Sequence, residues 1–203
     1  MKGALDSAAP GLGATFHATQ ALLKAIADGE SADVVILTDE GIAQLAAQGK
    51  LAGTAQPVGR SGVGIAVRAG AAKPDISSVD AMKRSLLNAE SVAHSRMGAS
   101  GLYFASLLER LGLADKLKKR VIVEKGPVGA AVARGEAQIG AQLLCELAPV
   151  EGIDIVGPLP REVQNYNAFS AAMMKDSPQA RAFMEFLRSD AVRAAMKKNL
   201  FEA

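Results

Sequence analysis

Hydrophobic and polar positions along the chain fall into short apolar runs separated by stretches of helical period. Asp33-Val34-Val35-Ile36-Leu37 is one such run, rich in β-branched residues, and reads as a buried strand. Thr38-Asp39 follows it as an N-cap signal, opening a helix that carries Ile42, Leu45 and Ala46 and ends at Gly49. The same order recurs downstream. A strand is predicted over 63–67, a helix over 79–87 capped by Ser78, and a strand over 91–94. An amphipathic helix over 99–111 follows, with Leu102, Phe104, Leu107, Leu108 and Leu111 on one face and Gly112 closing it. Further on, strands at 121–123, 137–142 and 153–156 surround a helix at 127–134. After Pro158 and Pro160 a loosely alternating strand, 165–173, leads into two closing helices, 178–187 and 191–198.

Strand-then-helix alternation predicts a doubly wound α/β arrangement. Joints marked by Pro and Gly, at 69–74 and 157–160, enclose a complete middle block. The expectation is therefore two lobes, with 73–158 inserted into a discontinuous lobe made of 1–72 and 159–203. A body of that kind carries a ligand cleft between its lobes.

Composition supports the α/β reading. Of 203 residues 49% are hydrophobic, yet there is no Trp and there are only two Tyr. The core must be built from Ala, Leu, Val and Ile, as in helices packed on a parallel sheet. The net charge of +2, from 23 basic and 21 acidic residues, implies neither nucleic acid nor a membrane surface as partner. A single cysteine, Cys145, excludes an internal disulfide. No stretch reaches the roughly 20 apolar residues of a membrane span, and residues 1–9 hold no signal-peptide pattern.

Candidate chemistry gathers where strands give way to helices. Three such junctions stand out: His17-Ala18-Thr19, Thr38-Asp39 and Gly98-Ala99-Ser100-Gly101. A helix N-terminus offers unpaired N–H groups and the positive end of the macrodipole, so it receives anions. Ser100 adds a hydroxyl donor and Gly101 removes steric cover. The competing reading is ordinary N-capping, which every helix needs. Gln142 ends a strand on the side where α/β ligands sit and could donate from its amide. Ser95 is a further lining candidate beside the strand-ending His94, which either lines the cleft too or is a packed, hydrogen-bonded histidine. His17 and His94 lack a Cys, Asp or Glu cluster at ligand spacing, so no metal site is expected; His17 is the weak candidate for proton transfer. Cys145 reads as a buried structural thiol. Gly59-Arg60-Ser61-Gly62-Val63-Gly64 precedes a strand where a phosphate loop would precede a helix, and reads as a turn.

Four stretches resemble the molybdate-binding-like branch of the type II periplasmic solute-binding proteins. Gly29-Glu30-Ser31-Ala32-Asp33-Val34 resembles its strand entry, and Gly98-Ala99-Ser100-Gly101-Leu102-Tyr103 its second-lobe anion loop. Arg134-Gly135-Glu136-Ala137-Gln138-Ile139-Gly140 resembles a later strand, and the tail from Ser177 to Phe201 its closing helix region. The resemblance runs from about Ala14 onward. It implies a two-lobed fold, a small oxyanion or carboxylate as ligand, no cofactor, the membrane subunits of an ABC-type importer as partners, and a periplasmic location. Some relatives of this class are isomerases of small polycarboxylates such as aconitate, which is the alternative reading. His17, Glu40 or Glu146 would then carry protons. Met1-Lys2-Gly3-Ala4-Leu5 resembles the start of the family's first helix, and its first strand and much of its second have no counterpart; either the first lobe is shortened, with dimerisation as one way to complete it, or the sequence omits residues.

Overall fold

The computed structural model describes residues 13–124 and 126–202. The expectations placed on 1–12 lie outside them. The chain forms two compact units, one from Met1–Arg60 with Asn167–Ala203 and one from Ser61–Tyr166.

The first unit opens with α1 (Thr19–Ala27), β1 (Val34–Thr38) and α2 (Asp39–Ala47). It closes with β7 (Tyr166–Met173), α7 (Pro178–Phe186) and α8 (Asp190–Lys198). β1 and β7 pair antiparallel, from Val34 opposite Met173 to Thr38 opposite Phe169. The apolar positions of β1 pack with Leu23, Ile42, Leu45 and Ala172 into one core. Ser177 and Ser189 cap the two closing helices by accepting the N–H of Ala180 and of Val192. At the end of the chain Arg60 and Glu202 exchange both backbone hydrogen bonds, and a β-carbon on Gly59 would meet the Glu202 carbonyl oxygen at 2.9 Å.

The second unit contains most of β2 (Gln56–Arg68), then α3 (Val79–Asn88), β3 (Val92–Ser95), α4 (Ala99–Arg110), β4 (Arg120–Val123) and α5 (Val128–Ala133). β5 (Ile139–Leu143), the single turn α6 (Leu144–Leu147), β6 (Ile153–Pro158) and a 3-10 turn (Arg161–Val163) complete it. Its strand order is β2–β5–β3–β4, with β6 also on β2. Only β3 pairs parallel, with β4 and β5; β2 runs antiparallel to β5 and β6. The fold is thus mixed α/β, where composition alone suggested a parallel sheet. Val128, Val132, Ala93 and Ala137 form one core, with Phe104, Leu107 and Leu108 of α4 also buried.

Two sequence expectations look different in the structure. Gly59–Gly64, read as a turn, is extended and lies inside β2. Its glycines permit close packing, since a β-carbon on Gly64 would come within 2.8 Å of Leu144 Cγ. The compact units divide at 60/61 and 166/167, whereas the Pro/Gly joints sit at 69–74 and 157–160. The first joint is a turn inside the second unit: Gly70 takes φ +77° and donates its N–H to Asp154 Oδ2 at 2.9 Å. The 63–67 segment, assigned from sequence to the first lobe, therefore pairs with β5 inside the second unit.

Candidate functional site

Capping separates the helices into two kinds. In α2, α3, α7 and α8 the N-cap residue is Thr or Ser, and its side chain accepts an N–H of the first turn. Thr38 caps α2 in this way through Gly41 N–H, which is the ordinary structural use of such a residue. The short α5 begins at Pro127, yet its first turn is served from a distance: Gln142 Oε1, buried on β5, accepts the Gly129 N–H at 3.1 Å. Gln142 therefore acts as a cap through its amide oxygen.

Among the helices of eight residues or more that are described, α1 and α4 alone lack a side-chain cap. These are two of the three junctions that sequence singled out. At α1 the N-cap is Ala18, whose carbonyl accepts from Ala21 and Leu22. His17 before it is exposed. Thr19 Oγ1 accepts the Thr38 N–H at 3.4 Å, which ties the start of α1 to the end of β1. Asp39 Oδ1 accepts the Ser170 hydroxyl nearby at 2.8 Å.

The α4 end is more developed. Gly98 is its N-cap, in extended conformation, and its carbonyl accepts the Leu102 N–H at 2.9 Å. The N–H groups of Ala99, Ser100 and Gly101 are left for an outside acceptor. Ser100 is 3% exposed, and its hydroxyl bonds to no described residue. No fully buried polar side-chain atom is without a partner among the described residues, so the Ser100 oxygen still reaches solvent. A nearly buried hydroxyl that opens to the surface at an uncapped helix end is what an anion site requires.

Ser95 shapes this end from behind. A β-carbon on Gly98 would stand 2.6 Å from Ser95 Oγ, and one on Gly101 would collide with the Ser95 carbonyl oxygen and hydroxyl. The two glycines thus let the strand end and the helix start approach each other. Behind Ser95 stands His94, 3% exposed, a packed and hydrogen-bonded histidine as one of the two sequence readings had it. Its Nδ1 faces the Ser95 carbonyl at 3.0 Å and its Nε2 faces an Arg120 guanidinium nitrogen at 3.1 Å. Loss of solvation on burial lowers its pKa below the ordinary value, and a hydrogen bond to Ser95 works the other way. Tyr103, one turn into α4, donates its hydroxyl to the Val163 carbonyl at 2.7 Å and anchors the helix.

Other features carry less. Surface hollows of about 270 and 250 Å³ in the second unit are lined by residues such as Glu109 and Lys116, and Lys73 and Gln138; neither includes a residue of the α4 start. Cys145 is buried, with its N–H on Ser61 Oγ at 3.1 Å, and burial pushes its thiol up to about 11. No cluster of three or more His, Cys, Asp or Glu side chains suited to a metal occurs among the described residues. No described helix is long and apolar enough to cross a membrane.

Residues 12–202 match the family model of the bacterial extracellular solute-binding proteins. An aconitate isomerase from a Pseudomonas species is 43% identical over 195 residues, covering 93% of this chain and 73% of the relative. Among solved structures, the periplasmic molybdate-binding protein of Azotobacter vinelandii aligns with a TM-score of 0.72 at 20% identity, over 92% of this chain and 84% of that one. The L-phospholactate-bound form of PEB3 aligns with a TM-score of 0.63 at 15% identity, over 91% and 84%.

Proposed function

The chain belongs to the bacterial extracellular solute-binding proteins, and from that premise we propose that it binds a small oxyanion or carboxylate at the start of α4. The observation that carries this reading is Ser100: nearly buried, without a partner among the described residues, and set at an uncapped helix N-terminus. The N–H groups of 99–101 and the Ser100 hydroxyl converge there as donors, and the helix dipole favours negative charge. No formal cation is required. The start of α1, with His17, Ala18 and Thr19, is the corresponding donor end in the first unit. Ser95 supports the α4 end from behind. Thr38 caps α2, and the Gln142 amide oxygen caps α5 from the neighbouring strand.

Relatives of two kinds support an anionic ligand, one named for molybdate and one structure holding L-phospholactate. In a periplasmic setting such a protein hands its ligand to the membrane subunits of an ABC-type importer. A thermal-shift screen with molybdate, phosphate and cis- and trans-aconitate against neutral sugars tests the reading, because a ligand that binds only the folded state raises its stability. Stabilisation by an anion supports it; stabilisation by a sugar alone overturns it.

The 43% identical isomerase favours a second reading, in which the bound anion is aconitate and the protein interconverts its cis and trans forms. That reaction needs a proton carrier beside the bound carboxylates. His17, exposed just ahead of α1, is the candidate. Incubation with cis-aconitate, followed by absorbance and by separation of the isomers, distinguishes turnover from binding alone.

A further inference from the structure

We infer that His94 is the positioning residue of the α4 anion site, and that its protonation releases the site's geometry so that anion binding weakens in acid. The inference rests on the reading of that site given above and names a control built into it.

Hydrogen-bond roles at His94 are fixed by its partners. A guanidinium can only donate, so His94 Nε2, 3.1 Å from Arg120, must be the acceptor. A carbonyl can only accept, so Nδ1, 3.0 Å from the Ser95 oxygen, must carry the proton. The ring is therefore neutral, in the Nδ1–H form. It holds the very carbonyl that packs against Gly101, the third residue of α4. A chain of contacts runs from Arg120 on β4 through His94 on β3 to the Ser95 carbonyl and the helix end. Phe104 of α4 closes the other side, its ring centroid 6.1 Å away at 56°.

Protonation at Nε2 removes the acceptor and sets an imidazolium against Arg120. The charged groups acting on the ring are Arg120 from β4 and Arg96 from the loop after β3; Arg96 is paired with Glu124 at 2.6 Å. From α4 the ring faces Phe104, and along β5 the residues opposite β3 are Ile139 and Gly140, none of them titratable. With Arg120 at contact distance and no acid in contact, the imidazolium is the unfavourable state. The ring swings away from Arg120 and withdraws its Nδ1–H from the Ser95 carbonyl; a shift of the exposed Arg120 alone would leave that bond, and anion binding, unchanged. An imidazolium would also attract an anion, but Arg120 stands at 3.1 Å while the ligand lies beyond Ser95, so the nearer repulsion governs.

The test compares the full chain with His94→Asn and His94→Gln, titrating trans-aconitate and, separately, phosphate between pH 4.5 and 7.5. Ionisation of the ligand is common to all three proteins and cancels in the ratio of their dissociation constants. Asparagine keeps a donor for Ser95, and glutamine keeps an acceptor for Arg120; neither titrates. The expected result is that the wild-type protein loses affinity progressively relative to both variants as the pH falls below about 6.5, where a histidine begins to take up its proton. His94→Asn should be the closer to wild type at pH 7.5. Wild-type binding that parallels the variants at every pH, or strengthens relative to them in acid, overturns this inference and leaves the anion site standing. Failure of the wild-type protein to bind either anion at any pH overturns this inference, and failure to bind molybdate as well overturns the anion site. Circular dichroism at each pH verifies that the variants are folded.

Discussion

The carbonyl of Ser95 lies so close to Gly101 that a β-carbon at 101 would overlap its oxygen. This contact joins the end of β3 to the start of α4 and sets the direction of the first helical N–H groups. Because the obstructing atom belongs to the backbone, no rotamer change relieves it. Gly101→Ala should cost on the order of 1–3 kcal/mol of stability and abolish detectable anion binding. Urea unfolding together with calorimetric titration reads both effects; unchanged values for the variant would show that the loop tolerates a side chain.

Ser100→Ala separates the hydroxyl from the backbone donors. The Ser100 oxygen bonds to no described residue, so its loss should leave stability within about 0.5 kcal/mol. Anion affinity should fall by about 1.5–3 kcal/mol, the value of a hydrogen bond to a charged group. Equal affinity in the two proteins would assign all of the binding to backbone N–H groups.

Thr38 gives the contrasting case. Its hydroxyl caps α2, so Thr38→Ala should reduce stability by about 1 kcal/mol with no more than a small change in anion affinity. A large loss of affinity at constant stability would mean that Thr38 touches ligand.

The lowered pKa of His94 has a consequence for folding as well as for binding. In the unfolded chain a histidine takes up its proton near pH 6.5, whereas the folded site resists protonation. Stability is therefore highest above pH 6.5, falls as the pH drops through 6.5 toward the folded value, and levels off below it. Replacing His94 with Asn should remove this part of the acid dependence. Denaturant midpoints at pH 5 and 7.5 for both proteins provide the check.

Cys145, with its thiol raised to about 11, should resist iodoacetamide in the folded protein at pH 8 and react once the chain is unfolded. Mass spectrometry of the alkylated fraction distinguishes this from an accessible, reactive thiol.

Local rules made much of this fold readable. The Thr38, Ser78 and Gly112 signals mark real helix ends, because capping depends on residues close in sequence. The extent of β2 was not legible. Its glycines look like a turn in isolation, and only pairing with β5 and β6 and the bulk of Leu144 make them a strand. The same limit applies to the site. Ser100 and Gly101 could be found from a local motif. That Gln142 is committed to Gly129, and that His94 is held between Arg120 and Ser95, depends on contacts between segments 13 to 26 residues apart.

The central claim is that the first turn of α4 receives an anion. The direct measurement is a titration of isotope-labelled protein with trans-aconitate, molybdate and phosphate, followed at the backbone amides. Saturable shifts at Ala99, Ser100 and Gly101, lost in Gly101→Ala, are the predicted result. Saturable binding that leaves those three amides unmoved, or no binding of any of the three anions, would contradict it.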